Sequence, residues 1–488
     1  MSEDPLNLAQ VCLRRAETEP DRPALLVASP TGVRTWTYGA LDREVRRVAA
    51  GLRSEGLKPG GRVLIRLGGI DYVLAFLGTI AAGGVAVPAS LQLTDGEADF
   101  LARDASADRV LADSAALDRL RAAEPGDWAA TGAEAPAFLV YTSGTTSRPK
   151  GVLHAQRSIL GRRPMHQSWL GLGPNDVMLH AGAVNWTYTL GVGLLDPWCC
   201  GATAILWDGP REPALWPALI ERLRVTIFAA VPGVYRQMLR TGALERHDLA
   251  SLRHGVSAGE ALPPGLLSQW QAATGLPLYE ALGQSEISTY ISSGPDVPTR
   301  PGSPGRPQPG RRVAILPVEG GDEPLPSGEV GLLAVHRDEP GLMLGYWERP
   351  AEMAAAFRGD WFLGGDLAAI DDAGYLWHHG RADEIMNAGG YRVSPAEVET
   401  ALLDHPAVAE VAVTEVPVRE GVSIIAAFVV VRPGQTVDAA GLAAHAANRL
   451  AAYKCPREIR IVEALPRTPN GKVTRKRLGE IFAQALLG

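Results

Sequence analysis

The stretch Phe138-Leu139-Val140-Tyr141-Thr142-Ser143-Gly144-Thr145-Thr146-Ser147-Arg148-Pro149-Lys150-Gly151 carries an apolar run into a loop of hydroxyls and glycine, followed by a lysine. Backbone N–H groups and hydroxyls in such a loop can wrap phosphate oxygens, and Lys150 adds a positive charge. The spacing is not that of a Walker loop, whose Gly and Lys-Ser/Thr pattern is absent. Taken alone, the segment could also be a Ser/Thr-rich surface turn. Three further charged residues stand in turns that could present them: Glu286 beside Gly283-Gln284-Ser285, Asp366 after Gly365, and Lys472 after Pro469-Asn470-Gly471. By residue type alone they could equally be a solvated carboxylate, a turn cap and an exposed lysine.

The order of these segments resembles the adenylate-forming superfamily of acyl-CoA synthetases, adenylation domains and luciferases. Ser257-Ala258-Gly259-Glu260-Ala261-Leu262 is similar to its adenine-site segment, and Gly283-Gln284-Ser285-Glu286 to its Gly-x-Thr-Glu signature. Gly365-Asp366-Leu367 and Gly380-Arg381-Ala382-Asp383 resemble the ribose and hinge motifs, and Pro466-Arg467-Thr468-Pro469-Asn470-Gly471-Lys472 the terminal lysine loop. The resemblance implies ATP and AMP contacts at Thr142, Ser143, Gly144, Thr145, Thr146, Lys150, Ala258, Gly259, Glu260, Glu280, Ala281, Leu282, Gly283, Ser285, Asp366, Arg381 and Lys472. Thr142, Glu286 and Lys472 are the implied catalytic residues.

Glu286 is the implied Mg²⁺ ligand, a hard oxygen of the kind that ion prefers. Asp366 would accept both ribose hydroxyls, with Arg381 alongside. Lys472 would stabilise the charge that develops as a carboxylate attacks the α-phosphate. Asp383 is the implied hinge about which a small C-terminal domain rotates between half-reactions. Gly389-Gly390-Tyr391-Arg392 resembles the pantetheine tunnel, with Gly389, Gly390 and Arg392 as its implied contacts. Arg392 could instead form a structural salt bridge. The run Arg475-Lys476-Arg477 reads as a solvated helix face.

Three positions depart from the family pattern. Ser147 stands where glycine is usual, Ser285 replaces threonine but keeps the hydroxyl, and Leu282 replaces the aromatic residue that flanks adenine. Asn185-Trp186-Thr187-Tyr188-Thr189-Leu190-Gly191 falls where the family places its acyl gate, and Trp186 is the gate candidate, although these aromatics could simply be core. Asn185 and Trp186 offer no carboxylate to hold a substrate amine, which disfavours an α-amino acid. Gly283, where acetate-specific relatives carry tryptophan, is expected to leave an open acyl pocket for a medium chain or a ring.

The elements that must position these residues read as an α/β protein. A large N-terminal domain, 1–381, has parallel-type sheets with packed helices and ends in a strand-rich subdomain at about 313–381. A small mobile α+β domain, 382–488, carries the lysine. Within the second, Ser394 is the expected N-cap of a helix to Leu403 and Asp438 that of a helix from Ala439. Strands are expected over Val408–Val413 and Ile424–Val431. The uncharged stretch Tyr72–Thr94 is divided by Gly83-Gly84 and Pro88, so it reads as a buried helix and strand rather than a membrane span.

A net charge of −7 argues against a general nucleic-acid binder, and 46% hydrophobic residues allow substantial cores. Cys12, Cys199, Cys200 and Cys455 lack metal-ligand spacing and are expected as reduced thiols. The acidic start without an apolar signal region points the same way, to the cytoplasm. The expected function is an ATP-dependent acyl-CoA ligase acting on a medium-chain or aromatic carboxylic acid, with ATP, Mg²⁺ and coenzyme A. A stand-alone adenylation enzyme loading a carrier phosphopantetheine in trans is the alternative. A catalytically silent binding protein is a third, which the intact Glu286, Asp366 and Lys472 set disfavours. A homodimer is left open.

Overall fold

The computed structural model describes residues 5–142, 149–384, 386–388, 391–419, 422–467 and 473–486. The chain divides into two compact units, Met1–Arg312 with Val335–Phe362, and Val313–Ala334 with Leu363–Gly488.

In the first unit, nine strands among the described residues form one sheet. Their order is Arg306–Pro307, Ser288–Ser292, Leu278–Gln284, His254–Ala258, Ile227–Ala230, Val177–His180, Thr203–Trp207, Pro23–Ser29 and Gly32–Thr37. Pairing is parallel from Leu278–Gln284 through to Pro23–Ser29 and antiparallel at both edges. Central strands covered on both faces need apolar residues without alternation, which is what Ile227–Ala230 supplies, buried at every position. The helices Leu215–Leu223, Pro232–Arg240 and Pro264–Thr274 bring Trp216, Tyr235 and Trp270 into this core. The Tyr235 hydroxyl is satisfied by the Phe228 and Val256 carbonyls at 2.7 and 3.1 Å.

A second sheet orders Gly345–Tyr346, Lys150–Ala155, Pro136–Thr142, Val85–Pro88, Arg62–Ile65 and Arg109–Leu111. The uncharged stretch forms the helix Gly69–Ala81 and the strand Val85–Pro88, as expected from its glycines. Gly78 is needed where this helix crosses Tyr38–Ser54, since a Cβ there would lie 2.4 Å from Val48 Cγ1. Among the described residues, no helix is long and apolar enough to cross a membrane.

In the second unit, Leu376–Arg381 pairs antiparallel with Trp361–Ile370, with Asp366 opposite Arg381. Further along, Val408–Arg419 and Val422–Val431 make a long antiparallel hairpin, and Glu458–Ile461 adds to it in parallel. The strands outrun the expected lengths because both faces are covered. Val413, Ile425 and Val429 meet Val398, Leu402 and Leu442 on one side. Val416 and Phe428 meet Leu478 and Phe482 of the helix Arg475–Leu486 on the other. Asp438 caps its helix as expected, accepting the Gly441 N–H at 2.8 Å. Ser394 occupies the N-cap of Pro395–Leu403 without a capping bond. Its hydroxyl instead donates to the His379 carbonyl at 2.6 Å, a stronger local offer than the helix end.

Candidate functional site

Thr142 and Lys150 are directly opposed partners where the strands Pro136–Thr142 and Lys150–Ala155 meet. Antiparallel pairing therefore sets the two ends of the hydroxyl-rich loop side by side. Ser143, Gly144, Thr145, Thr146 and Ser147 lie outside the described residues. Lys150 Nζ is 2.5 Å from Glu352 Oε2 on the helix Pro350–Ala355 and 5.3 Å from the centre of the Tyr346 ring. The Tyr346 hydroxyl donates to Glu286 Oε1 at 2.9 Å. A chain thus runs from Glu352 through Lys150 and Tyr346 to Glu286, joining the two charges that the sequence assigns to phosphate and metal. The bond from Lys150 holds the Glu352 carboxyl below its usual range.

The turn carrying Glu286 is fixed by its backbone. The Met343 N–H donates to the Glu286 carbonyl at 2.7 Å, and His154 Nε2 lies 2.8 Å from the Ser285 carbonyl. His154 is buried and stacked on Phe138 at 4.6 Å. Burial lowers its pKa to about 4, so the ring is neutral at pH 7, and its single proton sits on the nitrogen that faces a carbonyl. Sequence reasoning passed over His154, Tyr346 and Glu352. The only signal was a histidine among the uncharged residues that follow Lys150 in its strand.

Trp186 precedes the short helix Thr187–Leu190, which runs through the π-helical turn Gly191–Leu195 into Asp196–Cys200. Its ring meets Tyr188 edge to face at 5.2 Å. Gly259, with φ +93°, is where the adenine segment comes against it, since a Cβ on Gly259 would lie 3.2 Å from Trp186 Cη2. The expected acyl gate and the expected nucleotide segment are therefore brought into contact. Ala258 and Ala281 are buried in the core beneath, so what they can present outward is backbone. Glu280 is buried too, and its Oε1 accepts the Leu262 N–H at 2.8 Å, bracing the segment that follows Gly259 and Glu260. Burial raises its pKa to about 8. Leu282 is half-buried and pairs with Ile291 across the hairpin.

Gly283, the expected open side of the acyl pocket, is closely packed where a side chain would begin: a Cβ there would lie 2.4 Å from the Ser288 carbonyl oxygen and 2.6 Å from Thr289 Cα. The glycine is required by the close approach of two strands at a bulge between Leu282 and Gly283. Gly283→Ala is accordingly expected to lower kcat/KM about 10- to 100-fold for every acid alike, because the overpacking strain of ~1–3 kcal/mol falls on the turn bearing Glu286. The check is kcat/KM from acetate to octanoate plus benzoate. Acetate spared while larger acids suffer would instead support the open-pocket expectation.

In the second unit, Asp366 is buried and its Oδ1 lies 3.1 Å from His378 Nε2. Arg381 Nη1 donates to the Gly364 carbonyl at 3.0 Å, and the guanidinium covers Gly365, whose φ is +84°. The ribose-motif pair is thus assembled side by side, with His378 as a partner the sequence did not disclose. Asp383 lies in the 3₁₀ turn Ala382–Glu384, and Arg392 on Tyr391–Val393 opposite Asn387. Gly389, Gly390 and Lys472 lie outside the described residues. Arg475 is not a solvated residue: it pairs with Glu384 at 2.9 Å and with Glu399 at 2.9 Å, tying the turn Ala382–Glu384 to the C-terminal helix.

Among the described residues no group of three or more His, Cys, Asp or Glu side chains could hold a metal ion. Any ion at Glu286 would thus take most of its oxygens from elsewhere.

Residues 12–347 match the family model described as AMP-binding enzyme, and residues 397–472 that of the AMP-binding enzyme C-terminal domain. The chain is 31% identical, over 95% of its length and 94% of the relative's, to a 3-hydroxybenzoate–CoA ligase of Aromatoleum sp. (strain CIB). It is 33% identical, over 91% and 90%, to a benzoate–CoA ligase of Thauera aromatica. The crystal structure of the anthranilate CoA ligase AuaEII in complex with anthranoyl-AMP superposes with a TM-score of 0.88 at 30% identity, covering 99% of both chains.

Proposed function

Since this chain belongs to the family of AMP-binding enzymes, we propose that it is an ATP-dependent, AMP-forming acid–CoA ligase whose acid is aromatic. The acid's carboxylate attacks the α-phosphate of ATP and pyrophosphate leaves. The thiol of coenzyme A then attacks the acyl-adenylate, and AMP leaves. One observation carries the choice of acid: near-full-length likeness to aryl-CoA ligases, one solved with its aryl-adenylate, in a chain whose Trp186, Tyr188 and His180 rings gather beside Gly259.

The roles of individual residues follow from their chemistry. Thr142 and Lys150 flank the phosphate loop, and Lys150 must exchange Glu352 for phosphate when ATP binds. Glu286, oriented by Tyr346, fits a Mg²⁺ ion that takes one protein carboxylate and completes its shell with substrate phosphates and water. When bound, that ion would neutralise phosphate charge. Asp366 and Arg381 serve the ribose, Gly389, Gly390 and Arg392 the pantetheine arm, and Asp383 the hinge between functional domains 1–381 and 382–488. Four free thiols suit a cytoplasmic setting.

Mass spectrometry of a reaction with ATP, Mg²⁺, CoA and benzoate or a hydroxybenzoate is expected to show the aryl-CoA thioester with AMP and pyrophosphate. ADP as the product would overturn the mechanism. Acyl-adenylate that accumulates without consuming CoA would transfer the assignment to a carrier-loading enzyme.

A further inference from the structure

His180 ends the strand Val177–His180 and is 4% exposed. Its Nδ1 accepts the backbone N–H of Gly182 at 2.9 Å, and Thr189 Oγ1 lies 3.1 Å from the same nitrogen. A backbone N–H can only donate, so Nδ1 carries no proton and the neutral ring holds its hydrogen on Nε2. Burial, reinforced by the charge of Arg211, lowers the pKa to about 3, which keeps the ring neutral at working pH. The Nε2 atom is buried and has no hydrogen-bond partner among the described residues. An unmet buried donor costs about 1–3 kcal/mol.

The neighbouring rings cannot meet it. Tyr188 stands edge to face with His180 at 4.3 Å, but its hydroxyl is directed to the Val256 carbonyl at 3.4 Å. Trp186, edge to face at 6.3 Å, has an indole N–H that only donates. This same Trp186 touches Gly259, so the unmet donor belongs to the aromatic cluster beside the nucleotide segment. An unmet donor beside aromatic rings suits a flat ligand that brings its own acceptor.

We propose that His180 Nε2–H selects an aromatic acid bearing a ring hydroxyl, whose oxygen accepts this hydrogen, over the unsubstituted ring; the proposal rests on the acid–CoA ligase reading. A site built to bond a substrate hydroxyl discriminates strongly against the analogue that lacks it, because the analogue leaves the donor unpaired.

The test compares 2-, 3- and 4-hydroxybenzoate with benzoate, by pyrophosphate release and separately by calorimetric binding, in the parent, His180→Asn and His180→Gln. Asparagine can still accept the Gly182 N–H but lacks the distant donor, whereas glutamine can restore a donor there. The parent is expected to favour at least one hydroxybenzoate by roughly 10- to 100-fold in kcat/KM. His180→Asn should bring that ratio to within about 3-fold, and His180→Gln should recover part of it. Thermal unfolding of each variant reports its folding, and the parent's ratio needs no variant at all. Turnover of all four acids without preference, or an equal loss for all of them in His180→Asn, overturns the proposal. A hydroxyl preference in binding without pyrophosphate release from any acid would leave His180 as assigned and overturn the ligase reading instead.

Discussion

Lys472→Ala is expected to slow acyl-adenylate formation roughly 100- to 1,000-fold, while thioester formation from supplied acyl-adenylate largely survives. The estimate is that of removing one preorganised group that stabilises developing charge, ~3–4 kcal/mol. Lys472 ends the segment matched by the C-terminal family model. The residues on either side of its loop are held: Arg467 and Val473 are bridge partners, Arg467 pairs with Glu410 at 2.8 Å, and Arg475 is anchored on Glu384 and Glu399. Those anchors fix, within one unit, the described residues on either side of the segment that carries Lys472. Stopped-flow measurement of pyrophosphate release and of CoA consumption separates the two half-reactions. Equal losses in both would mean that the lysine supports structure, or serves both steps.

Asp196→Asn should produce the largest loss of stability. Asp196 is 0% exposed and receives both Arg162 Nε and Nη2 at 2.7 Å, with His166 Nε2 at 3.0 Å. Burial alone would raise the Asp196 carboxyl, but Arg162 and His166 outweigh it and hold it below the ordinary carboxylate range. Arg162 also donates to Ser288 Oγ at 2.6 Å, and it lies so close to Gly191 that a Cβ there would be 2.2 Å from its Nη2. The cluster pins the helix after Trp186 to the strand after Glu286. Removing the negative partner strands a buried guanidinium, at a cost of about 3–5 kcal/mol. Tm should fall on the order of 5 °C or more. The paired replacement Asp196→Leu with Arg162→Met should recover most of that, since well-packed apolar groups of similar volume often substitute without loss. An unchanged Tm for Asp196→Asn would show that the pair contributes nothing.

Local chemistry was legible wherever neighbours in sequence decide the outcome. Gly83-Gly84 and Pro88 divide the uncharged stretch into the helix Gly69–Ala81 and strand Val85–Pro88, and Asp438 caps its helix, because turn and cap energies act over a few residues. Ser394, by contrast, yields its hydroxyl to His379, which lies across the fold rather than in the helix it precedes.

The sequence by itself determined the chemistry available to this protein: a hydroxyl-rich loop between Thr142 and Lys150, acids at Glu286 and Asp366, a lysine at 472, and parallel sheets to carry them. Spacing within each segment is enough for that, because a motif's donors and charges are covalent neighbours. Only the tertiary structure decided which groups are occupied and by what. His154 reaches Ser285 from 131 residues away, Tyr346 reaches Glu286 from 60, and Glu352 meets Lys150 across the same unit. Gly283 meets the backbone of the facing strand, a contact that side-chain size alone could not announce. The free hydrogen on His180 is likewise a product of folding: it exists because the Gly182 backbone claims one ring nitrogen and burial removes water from the other.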